Sequence, residues 1–312
     1  MGGGRSRPLV PLLVLTAVAA MAACTAPPAP GPSDVLRDDA ITVASFNFSE
    51  SVLLGELYAG ALEAAGFRVD RQLDLGTREI VEPALQRGLV EVLSEYAGSA
   101  LEFVAGEDSA TADVGRTHLA LVSAMAARGV IALEAAPAQD RNALAVTAAT
   151  AQRLRLARTS DLVPSAERLS IGGPPECPQR PLCLPGLFGA YGLSFDRFVP
   201  LDAGGPLTTS ALAEGYIDVA VMFTTAPASL DRDVVLLRDD RELQPAENVT
   251  PLVRREVLQR FGPRVADVLN AVSAQLTTAE LRRMNAEVDA GRPPVSVARA
   301  WLSEHASSVG AR

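Results

Sequence analysis

The chain of 312 residues is long enough for two hydrophobic cores, at about 150 residues per domain. Its composition is 48% hydrophobic and 21% charged, with 24 Gly and 22 Pro, which is typical of a globular protein rich in turns and excludes a disordered chain or a coiled coil. The net charge of −9 argues against nucleic acid as a partner, because the chain has no excess of cations to neutralise phosphates.

Residues 1–23 have the pattern of an export signal. Arg5 and Arg7 precede an apolar run from Leu9 to Ala23, and a run of about 15 residues is shorter than the roughly 20 that a membrane-spanning helix needs. Cys24 follows two alanines, as in the lipobox of bacterial lipoproteins, where a lipid is attached to the cysteine. We therefore predict an extracytoplasmic protein with a lipid anchor at Cys24. The alternative is an ordinary signal peptide followed by a cysteine by chance.

Residues 24–39 form a predicted tether between this anchor and the folded part of the chain. Prolines at positions 27, 28, 30 and 32 favour a stiff, extended conformation. The folded part of the protein is expected to begin near Ala40.

From Ala40 onward, segments with strand periodicity alternate with segments of helical periodicity. Strands are predicted at 41–46, 67–75, 89–93 and 130–133, and helices at 52–62, 80–85 and 114–128. The alternation continues with strands at 143–146, 169–172, 198–201, 217–223 and 234–237, and with helices at 148–154, 186–191 and 208–214. The chain is then mostly helical from Arg254 to Ala306. This order predicts an α/β protein of two doubly wound lobes, with a ligand at the carboxyl ends of strands in the cleft between them.

The cysteines Cys177 and Cys183 lie six positions apart in a proline-rich stretch. Outside the cytosol this spacing favours a disulfide over a metal site, because no histidine lies nearby to complete a ligand set. We predict a disulfide between them and no bound metal.

Sequence patterns of the common hydrolases are absent from the chain. There is no Gly-x-Ser-x-Gly turn, no His-Glu-x-x-His pair and no phosphate-binding loop. The two histidines, His118 and His305, lie in segments that read as ordinary helices. We therefore predict a protein that is not an enzyme and needs no cofactor, with an exported hydrolase of unfamiliar type as the alternative.

A series of short motifs resembles the extracellular substrate-binding proteins of ABC importers for glycine betaine, choline and related osmoprotectants, of the ProX/OpuAC-like type. The motifs occur in the family's order over nearly all of the chain after the tether, at residues 48–51, 54–58, 75–79, 94–99, 180–187, 190–193, 211–219, 223–225 and 235–240. The resemblance implies a type II periplasmic-binding-protein-like fold. Lobe 1 is expected to comprise residues 40–142 plus 241–312, and lobe 2 residues 143–240.

The resemblance also implies how the protein works. A monomer would close its two lobes on a small solute and deliver that solute to permease subunits driven by their ATPase. In this family, aromatic rings surround the quaternary ammonium group, because a methylated cation cannot donate hydrogen bonds but is attracted to ring faces. By its place in the motifs, Tyr96 corresponds to one such ring and Phe223 to a second. Ser99 and Arg180 correspond to residues that bind the ligand's carboxylate, and a helix that starts near Ser99 would help to hold that anion.

Three positions depart from the family's pattern. Asn142 and Glu247 stand where aromatic rings are expected, and Phe46 stands in place of a lysine. We include all three among the candidate ligand-binding residues. With half of the aromatic box replaced, the ligand is either a betaine held differently or another small polar or aromatic solute. A protein that has kept the fold but lost its ligand is a third possibility.

Overall fold

A computed structural model describes residues 1–2, 39–202 and 204–309. The predicted export signal, Cys24 and nearly all of the predicted tether lie outside the described residues. Within the described part of the chain, every helix is too short or too polar to cross a membrane.

The first sheet is built mainly from the first part of the chain. The elements there are β1 (Ile41–Ala44), α1 (Ser49–Ala64), β2 (Val69–Gln72), α2 (Arg78–Arg87), β3 (Val92–Tyr96), α3 (Ala97–Ala105), α4 (Val114–Ala126) and β4 (Val130–Ala132). The strand order is β2-β1-β3-β10-β4, with β10 (Val249–Arg254) supplied from much later in the sequence.

The second sheet is built from one continuous segment. Its elements are β5 (Asn142–Thr147), α5 (Ala148–Leu154), β6 (Ser170–Gly173), α6 (Leu184–Tyr191), β7 (Arg197–Pro200), α7 (Pro206–Ala213), β8 (Val219–Phe223) and β9 (Val234–Leu237). Short 3₁₀ turns lie at Thr159–Leu162, Ala166–Arg168 and Pro227–Leu230. The strand order is β7-β6-β8-β5-β9.

Each sheet contains one strand that runs against its neighbours. β5 is antiparallel to β8 and β9, and β10 is antiparallel to β3 and β4. Both strands directly follow a segment in which the chain passes from one sheet to the other, at 133–141 and at 238–248. Both sheets are therefore mixed, with parallel and antiparallel strand pairs.

The C-terminal helices return to the first sheet. They are α8 (Arg255–Phe261), α9 (Arg264–Gln275), α10 (Thr278–Asp289), α11 (Pro294–Glu304) and α12 (Ala306–Val309). Together with α1 they cover one face of the first sheet, where Trp301 and Tyr58 are fully buried. The Tyr58 hydroxyl lies 3.0 Å from Ser273 Oγ, so that its one polar atom is satisfied within this core.

The predicted α/β alternation is confirmed, and the predicted bounds of α5 and β9 are those of the structure. β10 is not among the predicted strands, and it contains Pro251, which cannot donate a hydrogen bond to a sheet. The chain changes sheets close to the expected lobe boundaries, which remain a prediction.

Candidate functional site

A cavity of about 520 Å³ lies between the two sheets, within the range of roughly 300–1,000 Å³ of small-molecule sites. Side chains from both lobes and from both connecting segments line it. Aromatic, acidic and other polar side chains dominate this lining, which includes Phe48, Glu50, Arg78, Tyr96, Ser99, Asp140, Asn142, Leu182, Phe223, Thr225, Gln244, Glu247, Asn285 and Asp289.

Strand ends place three of these residues. Tyr96 is the last residue of β3 and Phe223 the last of β8, while Asn142 is the first of the antiparallel strand β5. Asn142 is paired with Phe223 in the strand register, and Val249 is paired with Tyr96. The cavity therefore lies at the carboxyl ends of the parallel strands, as the fold predicts.

The aromatic residues of the cavity are Phe48, Tyr96 and Phe223. The rings of Phe48 and Tyr96 are stacked with centroids 6.2 Å apart. Phe46 is not among the lining residues, because it is buried behind Phe48 with ring centroids 6.0 Å apart. The guanidinium carbon of Arg78 lies 5.3 Å from the centroid of the Phe46 ring, so the structure assigns Phe46 a packing position.

A hydrogen-bonded acidic network lies beside Tyr96. The Tyr96 hydroxyl donates to Glu50 Oε1 at 2.6 Å, and the Asn285 amide donates to the other oxygen of Glu50. Asn285 also donates to the Thr225 carbonyl at 3.2 Å, and the Thr225 hydroxyl donates to Asp140 at 2.7 Å. Burial raises the pKa of Glu50, and burial together with the neighbouring Glu50 raises the pKa of Asp140. The network therefore links the two lobes through two carboxyl groups, those of Glu50 and Asp140, whose pKa values are raised.

A third carboxylate, that of Glu247, lies at the start of α3. The Ser99 N–H donates to Glu247 Oε2 at 3.0 Å and the Ser99 hydroxyl donates to Oε1 at 2.7 Å. Burial raises the pKa of Glu247 to about 7. The two groups of Ser99 that the resemblance assigns to a ligand carboxylate thus hold a carboxylate of the protein itself.

Three further polar lining residues, Arg78, Asn142 and Gln244, are paired with other groups of the protein. Arg78 donates to both oxygens of the buried Glu95, at 2.8 and 2.9 Å. Asn142 Nδ2 donates to Gln244 Oε1 at 3.1 Å, and Gln244 Nε2 donates to the Leu182 carbonyl at 2.9 Å. Asn142 is therefore oriented by the connecting segment 238–248.

Arg180 is not among the lining residues of the cavity. Arg180 is exposed. A hydrogen bond with Thr77, and more weakly the charge of Arg180, lower the pKa of Glu79. In the sequence, Arg180 stands two positions before the lining residue Leu182.

The structure brings together Tyr96, Ser99, Asn142, Phe223 and Glu247 out of the predicted set, and leaves Phe46 and Arg180 outside the lining. The candidate list from the sequence did not include Phe48, Glu50, Arg78, Asp140 or Asn285. The first three of these stand within motifs at the ends of β1 and β2, so their position after strands was a usable signal. Asp140 and Asn285 come from a connecting segment and a helix, and no periodicity marks them.

A disulfide joins Cys177 and Cys183 in the structure, with 5.2 Å between their Cα atoms. Both cysteines are buried in the core of the second lobe, directly before α6. The described part of the chain contains no group of three or more His, Cys, Asp or Glu side chains that could hold a metal ion.

Two α/β lobes, two connecting segments and a cavity between them define a two-lobed solute-binding protein with the type II periplasmic binding fold. A family model for the substrate binding domain of ABC-type glycine betaine transport systems matches residues 39–304. The chain belongs to this family.

Relatives and solved structures agree with this assignment. The glycine-betaine-binding protein of Pseudomonas aeruginosa is 27% identical over 279 residues, which cover 86% of this chain and 88% of the relative. The glycine betaine-binding protein YehZ of Escherichia coli is 26% identical over 250 residues, covering 77% and 82%. A crystal structure described as a glycine betaine/carnitine/choline ABC transporter matches the fold with a TM-score of 0.78 at 22% identity, covering 86% of this chain and 99% of the other.

Proposed function

We propose that the protein captures a quaternary ammonium osmoprotectant, such as glycine betaine or choline, by closing its lobes, and delivers it unchanged to the permease of an ABC importer. We further propose that it is a monomer held outside the cell membrane by a lipid on Cys24. The single observation that carries the ligand class is the convergence of aromatic rings and carboxylates on one cavity between the lobes. The names of the relatives, which include glycine-betaine-binding proteins, support the same class.

The chemistry of the cavity suits a methylated cation. A quaternary ammonium group has no N–H to donate, but each ring face attracts it by about 0.5–2 kcal/mol. Phe48, Tyr96 and Phe223 supply such faces, and the carboxylates of Glu50 and Asp140 supply the opposite charge.

A thermal-shift screen of the protein tests this proposal. The compounds are glycine betaine, choline, carnitine and proline betaine, with the matched primary amines glycine and ethanolamine as controls. We expect melting temperature to rise with at least one methylated compound and not with its unmethylated counterpart, because ligand binds only the folded state. Equal responses to methylated and unmethylated compounds, or none to any methylated one, would contradict the proposal.

A further inference from the structure

We propose that Glu247 is the specificity-determining residue of the cavity: its carboxylate fills the place of a ligand carboxylate on Ser99. The site then selects a quaternary ammonium cation without a carboxylate, such as choline, over zwitterionic betaines. This inference rests on the proposed function and deepens it.

The position of the Glu247 carboxylate is the first step. It accepts from both the N–H and the hydroxyl of Ser99, at 3.0 and 2.7 Å, near the start of the nine-residue helix α3. Backbone N–H groups at a helix start are the groups that a bound anion would use. Because the Glu247 carboxylate already accepts from the Ser99 N–H and hydroxyl, these two groups are not free for a carboxylate of the ligand.

The backbone around Glu247 holds the carboxylate there. The Asp140 N–H donates to the Glu247 carbonyl at 3.1 Å, and the Ala97 N–H donates to the Asn248 carbonyl at 3.0 Å. Glu247 is only 7% exposed. Its carboxylate is therefore a fixed part of the cavity wall.

The balance of charge in the cavity points to the same ligand. The lining residues include the acids Glu50, Asp140, Glu247 and Asp289, against the single arginine Arg78. Arg78 is already bound to both oxygens of Glu95. A ligand carboxylate would therefore face acidic groups with no unpaired cationic side chain in the lining. A cation that carries no carboxylate is instead attracted by each of these groups when that group is ionised.

Arg180 does not change this balance in the structure, because it is exposed and lies outside the lining. If it reached the ligand on closure, a betaine carboxylate would have a cationic partner. The binding experiment decides between the two cases, since they predict opposite preferences.

Calorimetric titration of choline and glycine betaine into the full chain tests the proposal. We expect the unmodified protein to bind choline at least about tenfold more tightly than glycine betaine. Glu247→Ala removes the negative charge and frees the Ser99 N–H and hydroxyl. It should therefore weaken choline binding and strengthen glycine betaine binding, so that the preference falls at least about tenfold. Glu242→Gln is the matched control, since it removes a charge from an exposed side chain in the same connecting segment.

Glu247→Gln provides a second variant of the same shape, with folding checked by circular dichroism. Its amide oxygen still accepts from the Ser99 N–H, so choline binding should weaken while glycine betaine binding gains little. Glycine betaine bound as tightly as choline by the unmodified protein, or an unchanged preference in both Glu247 variants, would overturn the inference and leave the proposed function intact. Binding of neither compound and of no other quaternary ammonium compound would instead contradict the proposed function.

Discussion

Tyr96 offers its ring to the cavity and its hydroxyl to Glu50, so the two contributions can be separated by substitution. Tyr96→Leu removes the ring and should weaken binding of a quaternary ammonium ligand by about tenfold, since one cation–π contact contributes about 0.5–2 kcal/mol. Tyr96→Phe keeps the ring and should lose less affinity. Isothermal titration calorimetry measures both, and Tyr216→Leu, on a side chain 69% exposed, is the control. Equal affinities of Tyr96→Leu and the unmodified protein would mean that the ring does not contact the ligand.

Protonation of the cavity carboxylates should make ligand binding depend on pH. Burial raises the pKa of Glu50, Asp140 and Glu247, the last to about 7, so these groups hold protons in the free protein that an ordinary carboxylate would have lost. A bound cation favours their ionised forms and lowers their pKa. Binding therefore releases protons, and affinity should increase as the pH rises, by at most about tenfold per pH unit for each group.

The measurement is the dissociation constant of the cation from about pH 5.5 to about pH 8, with the curve flattening above the pKa values of the free protein. Glu247→Gln removes one titrating group and should reduce the slope near pH 7, where Glu247 titrates. Affinity that falls as the pH rises would contradict the assignment of these carboxylates to the cation.

At the scale of residues, the sequence predicts the aromatic residues of the cavity more readily than the hydrogen bonds between its polar side chains. Tyr96 and Phe223 were found because they lie in recognisable motifs at strand ends. The predicted ligand-binding residues include Phe46 and not Phe48. In the structure Phe46 is buried, with 2% of its surface exposed, whereas Phe48 is 43% exposed and lines the cavity. The contact between Ser99 and Glu247 joins residues 148 positions apart, so no local pattern could reveal it.

At the scale of elements, the start of α3 depends on a close approach of the segment 238–248. A Cβ atom added to Gly98 would lie 2.9 Å from Pro245 Cβ and 3.0 Å from the Ala246 carbonyl oxygen. Gly98→Ala should therefore push this segment away, destabilise the protein by about 1–3 kcal/mol and weaken ligand binding through displacement of Glu247.

The matched control is Gly189→Ala in α6, where the added Cβ meets nothing within 4 Å. This change should leave binding unaffected and raise stability by roughly 0.5–1 kcal/mol, since alanine favours a helix over glycine. Chemical denaturation gives the stability of both variants. A fully stable Gly98→Ala protein would show that the segment can move at no cost.

Elements with a clear period were predictable, and those defined by distant partners were not. The unbroken apolar run Val234–Leu237 predicted β9 with its observed bounds, and the segment Ala148–Leu154 predicted α5 with its observed bounds. The strand β10 depends on pairing with β3 and β4, which come more than a hundred residues earlier. Pro251 within β10 argues against a central strand when the sequence is considered alone, because proline lacks the N–H that a sheet uses.

At the scale of the whole molecule, the ligand should couple the unfolding of the two lobes. The cavity is lined by Tyr96 from the first lobe and Phe223 from the second, so a bound ligand is lost when either lobe unfolds. At a ligand concentration of 100 times Kd the stabilisation is about 2.7 kcal/mol, and each further tenfold adds about 1.4 kcal/mol. Scanning calorimetry should show every unfolding transition moving upward. A transition that stays fixed would mean that only one lobe holds the ligand.

The second sheet draws all its strands from residues 142–237, whereas the first needs β10 from beyond that stretch. The second lobe is thus a cassette inserted into the first, with both of its ends at the same side of the molecule. Exchanging this inserted segment between family members should yield folded chimaeric proteins. Each chimaera would have a cavity lined by the first lobe of one protein and the second lobe of another. Truncation of the chain just after this segment removes β10, which lies between β3 and β4. The edge of β3 would then be unpaired and prone to pair with strands of other chains.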